Sequence, residues 1–415
     1  MTAGRIPRTG ITAVTAVAAA ALAVTAFAVP AQAESAQAES VGKGRDKGHQ
    51  ATQRAMDALV EAGAVGVTAA AKDRDGRWKG VSGVGDREAG TPRGADDRFR
   101  IGSVTKTFVA TVLLQMEAEG KLDLDDTVER HLPGLVRGNG NDGREITVRQ
   151  LLNHTSGLYN YNSDVAFQNR NLFAPGFFTH RYDTHAPRDL VKVALAHKPD
   201  FAPGTKHSYS NTGYIVAGLI IEKISGNSYE HEVAQRVIKP LGLRATSLPK
   251  GNPKLPSPSA RNYSKLSPDP GASTIHDVTA HNMSWGWAAG DAISTTGDLN
   301  RFFSALLRGK LFPAEQLTAM KQAVPAPGDQ LYSAYGLGIY KVRTSCDAEL
   351  WSHSGGAVGA VTEAVTTPDG RHTLTYNANS DFGVTPGVVN AEFCGDGGTP
   401  ERRAPSTLSA PMNRL

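Results

Sequence analysis

The sequence lacks several features that would identify common protein classes. It has no heptad pattern, no short-period repeat and no long block of one charge, so it does not resemble a coiled coil, a repeat protein or a charged tail. The formal net charge is +4, and about +2 without two arginines near the start, which is too small to favour nucleic acid as a partner. A balance of 40% hydrophobic and 20% charged residues predicts a globular protein with one large core or two smaller ones.

Cysteine is scarce, with only Cys346 and Cys394 in the chain. In an exported protein two such residues predict one disulfide, which would close a loop of about fifty residues and stabilise the fold by about 4 kcal/mol. Two buried thiols are the alternative. Neither cysteine lies beside a histidine cluster, so we expect no metal, no cofactor and no cysteine nucleophile.

A long apolar run occurs only near the start. Arg5 and Arg8 precede an alanine- and valine-rich stretch over residues 11–29, and an Ala-x-Ala site ends at Ala33. This pattern predicts a signal peptide over residues 1–33, with Ala38 as a second cleavage point. A retained anchor is the less favoured alternative. We therefore expect a secreted, extracellular protein with no transmembrane segment after signal removal.

Strand patterns lie at both ends of the remaining chain, and helix patterns lie between them. Strands are predicted at residues 65–71 and 78–84 and again at 335–342, 349–353, 358–366 and 372–378, with tight turns between neighbours. The pattern predicts an α+β, multi-domain protein with an antiparallel sheet flanked by helices. Residues 54–120 plus 285–395 would form the α/β domain, and 121–284 a mainly helical insertion. Polar residues 34–53 and 396–415 are predicted to be flexible or disordered.

Ser103 and Lys106 form the first candidate site. They are three residues apart at the start of a segment, residues 107–116, that is apolar almost all round and predicts a buried helix. A serine hydroxyl becomes nucleophilic when a neighbouring base takes its proton, and burial lowers the pKa of an amine towards that role. A lone Ser-x-x-Lys is also compatible with a helix cap and a solvated lysine.

Tyr209 and Asn211 form the second candidate site, since they point to one side of an extended segment before an apolar helix. A phenol beside an ammonium group can take a proton from serine, and an amide can hold a substrate carbonyl. The alternative is a helix cap by Ser210 or Asn211, with Tyr209 packed on a neighbour.

The third candidate site is the strand segment His353-Ser354-Gly355-Gly356. Its glycines allow another backbone to approach, so a peptide can pair there as an extra strand. The N–H groups of Gly356 and Ser103 would then form an oxyanion hole. Taken alone, His353 is equally consistent with a hydrogen-bonded histidine at a strand end.

In order and spacing, the three motifs resemble the penicillin-recognising serine hydrolases of the class C β-lactamase-like family, and above all its Streptomyces-type secreted D-alanyl-D-alanine carboxypeptidases. The resemblance covers roughly residues 60–394. Its further matching stretches are Phe99-Arg100-Ile101-Gly102, Leu122-Asp123-Leu124-Asp125, His154-Thr155-Ser156-Gly157-Leu158-Tyr159, Phe302-Phe303-Ser304-Ala305-Leu306 and the pair Ser345-Cys346 with Phe393-Cys394-Gly395.

This resemblance implies a β-lactamase/transpeptidase-like fold and a role for each site residue. Ser103 would be acylated, while Lys106 and Tyr209 move its proton and His353 supports the proton path to the leaving group. The implied substrate-binding residues are Asn211, Ser354, Gly355, Gly356 and, as an aromatic cleft wall, Trp285.

Two positions depart from that family pattern. The carboxypeptidase has an arginine for the terminal carboxylate of its substrate, where this chain has Tyr340 followed by Lys341. Neither reproduces the two-pronged geometry of a guanidinium. Gly356 replaces a threonine, which removes one side-chain contact and leaves the backbone donor.

We therefore expect a serine hydrolase that forms an acyl-enzyme on a peptide or β-lactam, with D-alanyl-D-alanine carboxypeptidase as the first hypothesis. The same chemistry is compatible with a β-lactamase, an esterase, or a D-amino-acid amidase or aminopeptidase. A non-catalytic wall-binding or sensor protein is the alternative of another class. We expect a monomer.

Overall fold

The computed structural model describes residues 48–327, 329, 331–384 and 387–395. Its strands, in chain order, are β1 (Gly66–Lys72), β2 (Arg77–Asp86), β3 (Thr91–Pro92), β4 (Phe99–Arg100), β5 (Arg137–Gly138), β6 (Asn141–Asp142), β7 (Tyr263–Ser264), β8 (His276–Asp277), β9 (Ile293–Ser294), β10 (Val324–Pro325), β11 (Tyr332–Tyr335), β12 (Tyr340–Val342), β13 (Trp351–Ala357), β14 (Ala360–Thr366) and β15 (Thr373–Ala378).

The helices are named in the same way. They are α1 (Gln50–Glu61), α2 (Thr105–Ala118), α3 (Val128–His131), α4 (Val148–Leu152), α5 (Val165–Asn171), α6 (Gly176–His180), α7 (Pro187–Leu195), α8 (Asn211–Ser225), α9 (Tyr229–Val233), α10 (Lys239–Leu241), α11 (Trp287–Gly290), α12 (Thr296–Leu307), α13 (Ala314–Lys321) and α14 (Gly387–Cys394). Short 3₁₀ turns lie at Gly102–Val104 and Tyr161–Ser163, and a π-helical turn lies at Ala234–Ile238.

One antiparallel sheet joins the two ends of the chain. Its strand order is β10-β11-β12-β13-β14-β15-β1-β2-β3, so the amino-terminal hairpin pairs directly with the carboxy-terminal strands. The β1–β2 turn is set by Asp73, whose Oδ1 accepts the N–H groups of Asp75 and Gly76 at 2.8 and 3.0 Å. β14 and β15 are buried along their whole length, as expected for central strands covered on both faces.

Helices cover both faces of this sheet. On one face α12 packs against β1, β14 and β15, and behind it α2 contacts α8 and α11. On the other face α1 and α14 pack against each other over a second hydrophobic cluster. α2 is buried on nearly every side, which agrees with its apolar sequence and makes its start a fixed point in the interior.

Several local predictions are confirmed. Cys346 and Cys394 form a disulfide over a sequence separation of 48 residues, which ties the β12–β13 loop to α14. The spacing of Thr147 and Gln150 in the sequence predicts a capping box, and they form one at the start of α4. The antiparallel, helix-flanked sheet is the fold that the sequence predicted.

Other local predictions need correction. The single strand expected over residues 335–342 is divided into β11 and β12, because the chain turns between them at Gly338, whose φ is +75°. The sequence before Phe302 indicates Asp298 as a helix cap, but α12 is capped by Thr295, whose side chain accepts a hydrogen bond from the N–H of Asp298. α1 begins at Gln50, so residues 50–53 are helical and not flexible.

The predicted signal peptide over residues 1–33 and tail over 396–415 lie outside the described residues. Among the helices that are described, none is long and apolar enough to cross a membrane. The division into an α/β domain and a helical insertion over residues 121–284 stays a prediction.

Candidate active site

The candidate nucleophile lies where a tight turn enters the buried helix α2. Gly102 has φ of +50°, a left-handed conformation that favours glycine, and Ser103 follows it in the 3₁₀ turn before α2. Thr105 fixes this turn by donating its hydroxyl to the carbonyl of Gly102 at 2.7 Å. The side chain of Ser103 is therefore held at a helix start, with little exposure to solvent.

Lys106 lies one helical turn further on and is fully buried. Its Nζ is 2.8 Å from Ser103 Oγ, 2.6 Å from Asn211 Oδ1 and 2.6 Å from the carbonyl oxygen of Ala289. These partners come from the 3₁₀ turn before α2, from α8 and from α11. The amine is consequently fixed by three separate segments of the chain.

The charge state of Lys106 decides what it can do to Ser103. Burial lowers the pKa of the Lys106 amine well below its ordinary value. A neutral amine has two N–H donors and one lone pair, and both Asn211 Oδ1 and the Ala289 carbonyl can only accept. The lone pair is then left facing Ser103 Oγ, which is the arrangement of a base beside a nucleophile.

Tyr209 lies in the same cluster. The Lys106 Nζ is 4.9 Å from the centroid of the Tyr209 ring, which packs on the ring of His154 at 4.2 Å. Tyr209 also lines the same pocket as Ser103. The structure thus brings the predicted alcohol, amine and phenol together, although Tyr209 is more than a hundred residues from Ser103 in sequence.

Asn211 is the first residue of α8 and is buried behind Lys106. Its backbone N–H donates to Asn160 Oδ1 at 3.1 Å, and its own Oδ1 accepts from Lys106. Asn211 is not among the residues that line the pocket. Its observed contact orients the amine, whereas the sequence predicted a contact with substrate.

His353 lies on β13 and lines the pocket, with both ring nitrogens engaged. Nδ1 donates to the carbonyl of Ser354, so Nε2 accepts, and its partner is the hydroxyl of Tyr335 at 2.7 Å. Burial first, and the neighbouring Lys106 second, lower the pKa of His353 to about 3. The lowered pKa favours the uncharged ring, which keeps one proton on Nδ1 and accepts the hydroxyl of Tyr335 at Nε2.

The two glycines of the third motif bring β13 against the Ser103 turn. A Cβ added to Gly355 would lie 1.9 Å from the Ile101 carbonyl oxygen and 2.8 Å from Ser103 N. One added to Gly102 would lie 2.2 Å from the Gly356 carbonyl oxygen. The β12 partner strand pairs with β13 only at Trp351 and Ser352, so β13 continues past it towards Ser103 as an edge.

The pocket beside Ser103 combines this glycine edge with an aromatic wall. Its lining residues are Ser103, Tyr209, Leu331, Tyr332, Tyr340, His353, Ser354, Gly355, Gly356, Val361 and Glu363. None of these described residues is a lysine or an arginine. Tyr340 and Glu363 are hydrogen-bonded to each other, with the phenol donating to Glu363 Oε1 at 2.9 Å.

Comparison with known proteins agrees with this geometry. The family model described as Beta-lactamase matches residues 49–395. The chain belongs to the Beta-lactamase family. The match includes every candidate site residue, from Ser103 to Gly356.

Solved structures of this family include close matches. A D-stereospecific amidohydrolase from Streptomyces sp. is 49% identical over 84% of this chain and 99% of its own, with a TM-score of 0.78. A D-amino acid amidase from Ochrobactrum anthropi SV3, complexed with L-phenylalanine amide, is 28% identical over 80% of this chain and 90% of its own, with a TM-score of 0.69.

Among curated family members, Penicillin-binding protein 4* from Bacillus subtilis is 28% identical over 76% of this chain and 68% of its own length. The chain spans only about half the length of other curated relatives that it matches, at 53% and 54%. The serine hydrolase fold is thus shared with both penicillin-binding proteins and amidases.

Trp285 does not have the position that the family resemblance implied. Trp285 is buried and packs against Phe167. Its backbone carbonyl accepts a hydrogen bond from the hydroxyl of Tyr161. It is not part of the pocket lining. Tyr332 and Tyr340 supply the aromatic wall instead.

Some site residues were not singled out from the sequence. Asn160 holds the start of α8, and Tyr335 holds His353. The polar, aromatic loop at residues 159–164 was the available signal for Asn160, since such loops often line clefts. No local sequence feature indicates Tyr335 or Glu363, because their contacts depend on strand order.

A larger groove than the pocket beside Ser103 lies elsewhere in the described part of the chain. It has a volume of about 840 Å³ between the β1–β2 hairpin, the residues before α12 and α12 itself. It contains none of the candidate catalytic residues, so its size does not mark it as the active site.

Proposed function

We propose that the protein is a secreted serine amidohydrolase that acts, through an acyl-enzyme, on amides or short peptides of D-amino acids. The observation that carries the proposal is the contact between Ser103 Oγ and a buried Lys106 whose other two partners are obligatory acceptors. The names of the Streptomyces and Ochrobactrum enzymes support D-amino acid derivatives as the substrate class.

The proposed reaction has two steps. Ser103 Oγ forms a bond to the scissile carbonyl carbon while its proton passes to Lys106, and the resulting oxyanion is held by the N–H groups of Ser103 and Gly356. The C–N bond breaks as the leaving amine takes a proton through Tyr209. Water then attacks the ester carbon, the bond from that carbon to Ser103 Oγ breaks, one proton of the water returns to Oγ, and the D-amino acid leaves.

The leaving group is proposed to lie towards β12, beside Tyr340. A carboxypeptidase needs a cation there to bind the free carboxylate of its substrate. In this chain the described pocket residues at that end are Tyr340, Tyr332 and the carboxyl of Glu363. A substrate without a terminal carboxylate fits this wall better, and this favours an amidase or aminopeptidase over the carboxypeptidase that we expected first.

A D-alanyl-D-alanine carboxypeptidase is the second candidate. It is favoured by the likeness to Penicillin-binding protein 4*. The two activities differ in the leaving group, which is ammonia or an amine without a terminal carboxylate for the amidohydrolase and a D-amino acid with its free carboxylate for the carboxypeptidase.

Labelling followed by a substrate panel tests the proposal. A fluorophosphonate and a fluorescent penicillin should label the wild-type protein at Ser103, and Ser103→Ala should abolish labelling. Wild-type protein should hydrolyse D-phenylalanine amide and methyl ester at least tenfold faster than their L-isomers. Absence of labelling and of all turnover would refute the serine hydrolase, and release of D-alanine from a D-Ala-D-Ala peptide as the fastest reaction would favour the carboxypeptidase.

A further inference from the structure

The pocket beside Ser103 contains one carboxyl group among its described residues. Glu363 lies on β14 directly opposite Ser354 of β13, so its side chain is on the same face of the sheet as Tyr340 and Ser352. It is 7% exposed and lines the pocket together with Ser103. Neither the candidate chemistry nor any sequence motif accounts for it.

The hydrogen bonds of Glu363 are one-sided. Tyr340 and Ser352 both donate their hydroxyls to Oε1. Within the described residues we find no hydrogen bond to Oε2 and no lysine, arginine or histidine paired with this carboxyl. A buried carboxylate is ordinarily paired with a cation or hydrogen-bonded at both oxygens. Oε2 of Glu363 can therefore accept a further hydrogen bond from a ligand.

We propose that Glu363 is the binding site for a positively charged amine on the leaving group of the substrate. The ammonium would donate to Oε2, while Tyr340 and Ser352 hold Oε1. This inference rests on the proposed function, because it assumes an acyl-enzyme formed at Ser103 with the leaving group towards β12. It predicts that aminoacyl amides of diamines are better substrates than peptides that end in a free carboxylate.

Electrostatics in the pocket support this preference. Among the described residues, the polar groups placed beside Glu363 are Tyr340 from β12, Ser352 and Ser354 from β13, and Tyr376 from β15, none of which is cationic. A substrate carboxylate at this end would therefore meet a carboxyl with no compensating positive charge. An ammonium group would instead form an ion pair with the Glu363 carboxylate, in a site from which water is largely excluded.

Ionisation of Glu363 gives the preference a pH dependence. Burial raises the pKa of Glu363 to about 7, against the smaller opposing effect of its two hydroxyl donors. Below that pH the carboxyl is largely neutral and cannot discriminate by charge. The preference should therefore be small at pH 6 and should grow as pH rises to 8.

Three substrates of equal length test the inference. Each is an amide of D-phenylalanine, with a leaving group of 1,3-diaminopropane, butylamine or β-alanine. For wild-type protein at pH 8 we expect kcat/KM to be at least tenfold higher for the diamine than for the β-alanine amide, with the neutral amide between them. At pH 6 the ratio should fall below threefold.

Substitution then locates the effect. Glu363→Gln keeps the size of the side chain and should reduce the ratio at pH 8 to below threefold. Glu349→Gln is the matched control, since it removes an exposed carboxylate that pairs loosely with Lys341 at 3.6 Å and lies outside the pocket lining. It should keep the full ratio.

The outcomes separate this inference from the proposed function. Wild-type protein that hydrolyses all three amides with equal kcat/KM at pH 8, or with a ratio that does not change between pH 6 and pH 8, would overturn the role of Glu363 and leave the amidohydrolase intact. Wild-type protein that hydrolyses neither the amides nor D-phenylalanine methyl ester would overturn the amidohydrolase itself. The wild-type pH measurement decides the matter even if Glu363→Gln does not fold.

Discussion

Replacing Gly355 by alanine should separate the strand edge from the nucleophile. The added Cβ would lie 1.9 Å from the Ile101 carbonyl oxygen and 2.8 Å from Ser103 N. Ordinary contact for such a carbon begins at 3.4 Å, so the two backbones must move apart by about 1.5 Å. Both atoms belong to backbone, and no flexible side chain can give way instead.

The expected loss follows from this displacement. A misplacement of about 1 Å at a catalytic centre can cost roughly 100-fold in rate, and overpacking of a well-packed interior costs about 1–3 kcal/mol in stability. We therefore expect kcat/KM of Gly355→Ala for D-phenylalanine methyl ester to fall by about 100-fold. The unfolding midpoint should fall by only a few degrees.

The assay combines kinetics with active-site titration by a fluorophosphonate, so that the rate is expressed per labelled, folded molecule. Gly297→Ala is the control, because a Cβ at this helical position on α12 meets no atom within 4 Å. It should keep kcat/KM within twofold and leave stability unchanged or raise it slightly. A Gly355→Ala protein with kcat/KM within threefold of wild type would refute the close-approach argument.

Three further predictions concern Lys106, His353 and the disulfide. Lys106→Met should lower kcat by roughly 10²–10⁴-fold, because the base is lost, and steady-state kinetics measure this effect. The same change should lower the free energy of unfolding by about 1–3 kcal/mol, because Asn211 Oδ1 loses its donor, and urea unfolding measures that effect. His353 has its pKa lowered, so the unfolded chain binds a proton that the folded one does not between about pH 6.5 and 3, and stability falls as pH drops through that window. His353→Gln should flatten this part of the pH–stability curve, and a curve identical to wild type would contradict the assignment. Replacing both Cys346 and Cys394 by serine should cost about 4 kcal/mol, and wild type in reductant should match the variant in urea unfolding.

The parts of the site that depend on local spacing were predictable from the sequence. Ser103 and Lys106 are i and i+3 at the start of a helix, so secondary structure alone places one beside the other. The apolar composition of residues 107–116 correctly implied that the amine would be buried. The turn at Asp73 likewise depends on consecutive residues, since its carboxylate accepts hydrogen bonds from the N–H groups of Asp75 and Gly76.

Contacts that depend on the register of distant strands were not predictable in this way. Glu363 meets Tyr340 only because β13 lies between β12 and β14, and no feature near residue 363 indicates this order. The same holds for Tyr335 and His353. The family resemblance implied that Trp285 forms a wall of the cleft. In this chain its side chain lies in the core against Phe167, which no feature near residue 285 indicates.

The charges around the site lead to one conclusion about its substrate. Lys106 and His353 are both pushed by burial towards their neutral forms, and the described lining of the pocket contains no other basic side chain. The remaining ionisable carboxyl, Glu363, becomes negative near neutral pH. A site with neutral bases and one carboxylate attracts amines and repels acids. Tyr340, which stands where the family resemblance implied an arginine, agrees with this charge pattern, and its effect should be sought in the leaving group that we propose for the substrate.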